Sequence, residues 1–177
     1  LINFDLIPVG YTPPNDVNVV VEIPKGSNIK YEIDKEHGIL RIDRKLSPSM
    51  FYPGNYGFIP QTISGDGEAE DVLVLGEMTI MPVAVINTRP IGVLITEDDK
   101  GEDSKIITVP SLIVDPTLSE IQDIEDINPN FRNLVEHFFL HHKDLEEGKF
   151  VKIVGWKNRA YASDIIIESM KRHKAKH

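Results

Sequence analysis

The chain has 177 residues, 41% hydrophobic and 27% charged, enough to bury a core and too apolar to stay disordered. Its 28 acids against 19 Lys and Arg leave a net charge of −9, which argues against a nucleic-acid partner, because phosphate backbones are bound by neutralising cations. Cysteine is absent, which excludes disulfides and thiol chemistry; Leu1–Asp5 carries no basic leader and no run nears the roughly 18 apolar residues of a membrane span, so a cytoplasmic protein without membrane partners is expected.

Short β-branched runs punctuated by Gly and Pro predict strands at 17–23, 29–33, 39–42, 72–75, 84–86, 92–95 and 106–109, a spacing that suits a barrel or sandwich. Alternation in the second strand puts Lys30, Glu32 and Asp34 on one face and Tyr31 and Ile33 on the other. Arg41, Asp43 and Lys45 form a second charged row with Arg44 facing away, and His37-Gly38 is a hairpin turn between the two strands. A turn-rich, tyrosine-bearing stretch follows at 50–57.

Two acidic clusters come next. Asp66, Glu68, Glu70 and Asp71 crowd the entry to an apolar strand, and Glu97, Asp98, Asp99, Glu102 and Asp103 repeat the theme. Like charges held at a fixed strand mouth repel unless a cation joins them, and carboxylates on Gly-bearing loops supply the oxygens that hard divalent ions take. Either cluster alone reads more readily as a solvated acidic turn.

The last third changes character. Asp115-Pro116 and Asn128-Pro129 each pair an N-cap with proline at the first helical position. After the second, Phe131, Leu134, Val135, Phe138, Phe139, His142 and Leu145 recur at the spacing of a buried helix face, and Gly148 ends it. A strand at 150–154 and an amphipathic helix at 158–174 burying Ala162, Ile165, Ile166 and Met170 complete the chain. No repeat or linker divides it, so one domain over 1–177 is expected. Lys30, Arg44 and Lys143 add phosphate-binding cations to the acids, and carboxylates with cations together suit a metal–phosphate ligand.

Val20-Val21-Glu22-Ile23-Pro24, Ile29 to Asp34, Asp43-Arg44, Tyr52-Pro53-Gly54-Asn55-Tyr56-Gly57, Gly65-Asp66-Gly67, Asp71-Val72-Leu73-Val74 and Gly101-Glu102-Asp103-Ser104-Lys105 resemble, in that order, the family I soluble inorganic pyrophosphatases of the compact bacterial type. His137-Phe138-Phe139 and Lys143-Asp144-Leu145-Glu146 continue the resemblance, which runs from about Asp16 to Trp156. It implies a mainly β fold with flanking α, a five-stranded OB-type barrel with two main helices, assembled as a homohexamer. It implies Mg²⁺-dependent hydrolysis of pyrophosphate to two phosphates, with several ions per site and Mn²⁺ or Zn²⁺ as substitutes, by in-line attack of a hydroxide generated on shared metals. Position by position it makes Asp66, Asp71 and Asp103 ligands of a metal pair, Asp98 a ligand of a third ion and Glu32 of a further one. Lys30, Arg44, Tyr56 and Lys143 match phosphate-binding positions, while Glu22, Tyr52, Asp99 and Lys105 support the site.

Two positions depart from the family's pattern. Glu68 stands where the family has an aspartate assigned to orient or deprotonate the attacking water, and its extra methylene makes the carboxylate less fixed. His142 replaces a phosphate-binding tyrosine; either it packs in the core or, protonated, it donates to phosphate and makes affinity pH-sensitive near its ordinary pKa of about 6.5. His137 and His141, one turn apart, read as a subunit contact or a zinc pair lacking a third ligand. The alternative to catalysis is a weakened divalent-cation and phosphate-binding protein of the same fold.

Overall fold

The computed structural model describes residues 3–176, so Leu1, Ile2 and His177 of the expected domain lie outside the description. Eight strands and two helices follow in the order β1 (Val17–Ile23), β2 (Ile29–Asp34), β3 (Ile39–Lys45), β4 (Asn55–Ile59), β5 (Glu70–Val74), β6 (Val85–Asp98), β7 (Gly101–Pro110), α1 (Pro129–His141), β8 (Val151–Asn158) and α2 (Arg159–Lys176). β1 pairs with β4, β4 with β5, β5 in parallel with β7, β7 with β6 and β6 back to β1, so five strands close into a ring, the OB-type arrangement.

The ring closes because β6 bends. Its first residues, Val85–Thr88, pair with β1, a register shift between Pro90 and Gly92 follows, and Gly92–Asp98 pair with β8. A proline cannot donate to a ladder and a bulge sharpens local twist, so one strand serves two neighbours along the same edge. The expected strands at 84–86 and 92–95 are therefore one element.

Alternation assigns the core. Val17, Val19, Val21, Val72, Val74, Val93, Ile95 and Ile106 share a cluster with Ala162 and Ile166 of α2. The opposite face, through Leu73, Leu94 and Ile107, packs Tyr52, Tyr56 and Val135, Phe138 and Phe139 of α1. The β2–β3 hairpin forms its own two-stranded sheet and covers Val20 and Phe58 through Ile33.

Asn128 caps α1 by accepting from Asn130 N, with Pro129 at the first position, as the sequence predicts. The helix nonetheless stops at His141, and Leu134 and Leu145 are 52% and 69% exposed rather than buried. His142 Nδ1 engages the Phe139 carbonyl, and i→i+3 bonds from Asp144 N to His141 O and Glu146 N to Lys143 O turn the chain instead. Asp115-Pro116 yields only the 3-10 turn Pro116–Leu118, which buries no side chain and so has no tertiary support for a longer helix.

Candidate active site

The parallel register of β5 and β7 sets Val72 beside Ile106, which brings Asp71 next to Lys105. Asp103 and Lys105, two apart on β7, share a face. Lys105 Nζ consequently lies 2.7 Å from both Asp71 Oδ2 and Asp103 Oδ2. Burial alone would favour the neutral amine, but Asp71, Tyr56 and Asp103 reverse this and hold Lys105 well above its ordinary pKa. One buried ammonium thus fixes two carboxylates from different strands.

The first acidic loop is built around Asp66, whose carboxylate accepts from Ser64 Oγ and, at 2.9 Å, from Glu68 N. Burial pushes Asp66 up, yet these bonds outweigh it and leave the carboxyl below its usual range. Gly67, at φ +92°, supplies the turn that closes this loop. Glu68 is exposed on the same loop. The second cluster is a tight hairpin turn pairing Asp98 with Gly101. Asp98 accepts from Lys100 N and from Lys143 Nζ at 3.3 Å, and Asp99 pairs with Lys149 at 2.8 Å. Both acids sit below their ordinary values, Asp98 despite burial and Asp99 chiefly through the Lys149 bond.

Across the cavity, the bulge between Lys30 and Tyr31 places Lys30 directly opposite Arg44. Like charges facing each other across a ladder are unfavourable unless an anion joins them. Asp43, the residue displaced by the bulge, lies between them, 3.5 Å from Lys30 Nζ and 3.6 Å from Arg44 Nε. The charged row expected from strict alternation is thus broken at the point where the two cations converge.

Tyr56 is held well above the ordinary phenol range, first by burial and then by the charge of Asp71, so at neutral pH it is an O–H donor; burial raises Tyr52 likewise. Glu22 accepts from Ile33 N at 2.8 Å and is pushed up to about 7 by burial. Glu32 is exposed at the rim. His142 stacks on Phe138 with centroids 5.3 Å apart, and burial pulls it down to about 4. Of the two readings of His142, this packing and the bond to the Phe139 carbonyl favour the core one over the protonated donor. His137 and His141 contact each other, and His141 Nδ1 meets Asp144 Oδ2 at 2.6 Å.

The residues that the resemblance assigns to the site, from Glu22 through Glu68 to Lys143, and His142 with them, line one cavity of about 1010 Å³, whereas His137, His141, Glu97 and Glu102 do not. Sequence reasoning assigned no role to Glu70 or Glu146. Glu70 is 2% exposed and raised to about 7 by burial and then by Asp71; its place in the acidic run was visible, its burial was not. Among the described residues no trio of carboxylates or imidazoles converges on a single point. The donor set still fits hard divalent ions. It is all oxygen, and Glu22, Glu70 and Asp103 are each raised by burial and by the charge of Asp71, a local shortage of positive charge centred on that residue.

Residues 19–174 match the family model described as inorganic pyrophosphatase. The inorganic pyrophosphatase of Saccharolobus solfataricus is 49% identical over 165 residues, covering 93% of this chain and 96% of that one. That of Brucella melitensis is 49% identical over 175 residues, covering 98% and 99%. The crystal structure of inorganic pyrophosphatase from Thermus thermophilus superposes with a TM-score of 0.94 at 40% identity, covering 98% of this chain and 99% of that one. Strand ring, helices and sequence agree along nearly the whole length, and the chain belongs to the inorganic pyrophosphatase family, whose members depend on metal ions.

Proposed function

We propose that this cavity hydrolyses inorganic pyrophosphate to two phosphates, with Asp66, Asp71, Asp98 and Asp103 holding Mg²⁺, Glu32 serving a further ion, and Mn²⁺ or Zn²⁺ able to substitute. Such ions, when bound, acidify water and neutralise phosphate oxygens. Lys105 holds the Asp71 and Asp103 carboxylates in place, while Glu22 and Asp99 support the acidic wall from behind. Lys30 and Arg44 on the hairpin and Lys143 on the opposite wall receive the phosphates, and the Tyr56 hydroxyl donates to them beside Tyr52. Charge that builds on the leaving phosphate meets Arg44 and Lys143, donors fixed before the reaction begins. Glu68 takes the proton of the attacking water. His142 contributes shape rather than charge.

The observation that carries this reading is the facing of a carboxylate wall, pinned by one shared lysine, and a cation pair forced together by a β-bulge. Phosphate release from pyrophosphate is expected only with added divalent metal and is expected to vanish in Asp71→Asn. Full activity in excess chelator would sink the metal assignment. Neither the fold nor the relatives favour a non-catalytic binder.

The chain is also proposed to work as one domain, in the cytoplasm, as a homohexamer. Exposed Leu112, Ile113 and Val114, with Ile113 96% exposed, give an apolar surface to cover. A sedimentation mass near that of the single 20.0 kDa chain would contradict assembly. No helix among the described residues is long and apolar enough to cross a membrane.

A further inference from the structure

Pyrophosphate presents two phosphates at a fixed separation, so its cations must be held at a matching spacing. Arg44 stands on the β2–β3 hairpin, a sheet separate from the ring, whereas Lys143 stands on the turn after α1. Long cationic side chains on two walls do not by themselves keep a fixed distance. Among the described residues, one ion pair joins these walls at Arg44: Nε lies 3.2 Å from Glu146 Oε1. Both atoms are shut off from solvent, and the N–H is not aligned for a hydrogen bond, so charge attraction holds the pair. The Glu146 side chain is 16% exposed, and charges taken that far from water are costly unless matched. Glu146 is in turn tied to Lys143, since its backbone N–H donates to the Lys143 carbonyl at 2.9 Å.

We propose that Glu146 is a positioning residue that sets Arg44 relative to Lys143, and thereby the span between the two phosphate sites. It meets Arg44 at Nε, which leaves the two terminal guanidinium nitrogens for a phosphate. Asp43 cannot do the same work. It too approaches Nε, at 3.6 Å, but it belongs to the same strand and is shared with Lys30, so it moves with the hairpin and carries no information about the far wall.

The inference rests on Arg44 being a phosphate ligand, and a double-mutant cycle separates the two ideas. Wild type, Glu146→Gln, Arg44→Ala and the double variant are compared for kcat and KM with magnesium pyrophosphate, with thermal midpoints measured in parallel. Glu146→Gln is expected to raise KM and lower kcat/KM by about tenfold, since misplacing a binding group by a fraction of an ångström carries that order of cost. In the Arg44→Ala background the same change is expected to cost less than about twofold, because its effect passes through the missing guanidinium. A purely structural role would lower the active fraction and leave KM alone. Equal losses in both backgrounds, or an unchanged KM in the single variant, would overturn the positioning role and leave the phosphate clamp standing. A harmless Arg44→Ala would remove the clamp and this inference with it. Should Glu146→Gln fail to fold, Glu146→Asp, which keeps the charge but shortens the reach, enters the same cycle under the same criteria.

Discussion

At the scale of single residues the proposed chemistry turns on Glu68 as the base. It sits exposed on a loop whose other acid, Asp66, is locked by Ser64 and by the Glu68 backbone itself, so the loop is ordered while the Glu68 carboxylate swings on one more bond than aspartate would. Glu68→Asp is therefore expected to retain or raise kcat. Glu68→Gln, nearly the same shape but unable to accept a proton, is expected to lower kcat by about 10² to 10⁴-fold, the range of lost general-base catalysis. Metal affinity should move far less in either variant, because Asp66, Asp71 and Asp103 remain. Unchanged turnover in Glu68→Gln would pass the role to another group, and Glu70, buried in the lining of the same cavity, is the first to examine. His142 shows how context overrides residue type. A histidine that titrates near neutrality in water is held neutral here by burial, with its ring stacked and its Nδ1 bonded to a carbonyl, so the aromatic shape is kept and the charge is not.

At the scale of elements, β4 carries Tyr56 into the cavity and depends on the residue after it. A Cβ on Gly57 would meet Val20 O at 2.0 Å and Val21 Cα at 3.0 Å, backbone atoms of the paired strand that cannot swing aside. Gly57→Ala is thus expected to destabilise the fold by on the order of 3 kcal/mol in denaturant melts, at the upper end for overpacking. Gly65→Ala, with nothing within 4 Å of the added carbon, should stay within about 0.5 kcal/mol. Comparable midpoints for the two variants would contradict this packing account. β4 is also the strand that the sequence hides. Its Asn55-Tyr56-Gly57-Phe58-Ile59 follows Tyr52-Pro53-Gly54, reads as turn, and is buried throughout, so alternation has no polar face to mark. Strands with one wet face, such as β2 and β3, were legible. The residues of the candidate site could be picked out too, because acids, cations and tyrosines lie in short motifs that the fold brings to one cavity. What could not be read were contacts between distant segments, such as Lys105 with Asp71 and Arg44 with Glu146, and the early end of α1, where local turns override a helical apolar pattern.

At the scale of the whole molecule, the excess of acid reflected in the net charge of −9 is in part concentrated in the cavity, where burial and the charge of Asp71 together raise Glu22, Glu70 and Asp103. Folding without a bound divalent ion therefore gathers repelling carboxylates around Asp71, where the buried ammonium of Lys105, joining Asp71 to Asp103, offsets only part of the charge. A divalent ion that binds the folded site and not the unfolded chain stabilises by RT ln(1 + [L]/Kd), about 2.7 kcal/mol at a hundred times Kd. For a chain of this length each kcal/mol moves the midpoint by about 2–4 °C, so Mg²⁺ at that excess is expected to raise Tm by roughly 5–11 °C over the chelated protein at one fixed protein concentration. Sodium chloride at matched ionic strength should give little of this rise, because screening acts weakly on buried groups. Asp71→Asn should blunt the Mg²⁺ response as well as abolish turnover. A rise that sodium reproduces, or that persists in full in Asp71→Asn, would mean that the ions act on the surface at large and not in the cavity.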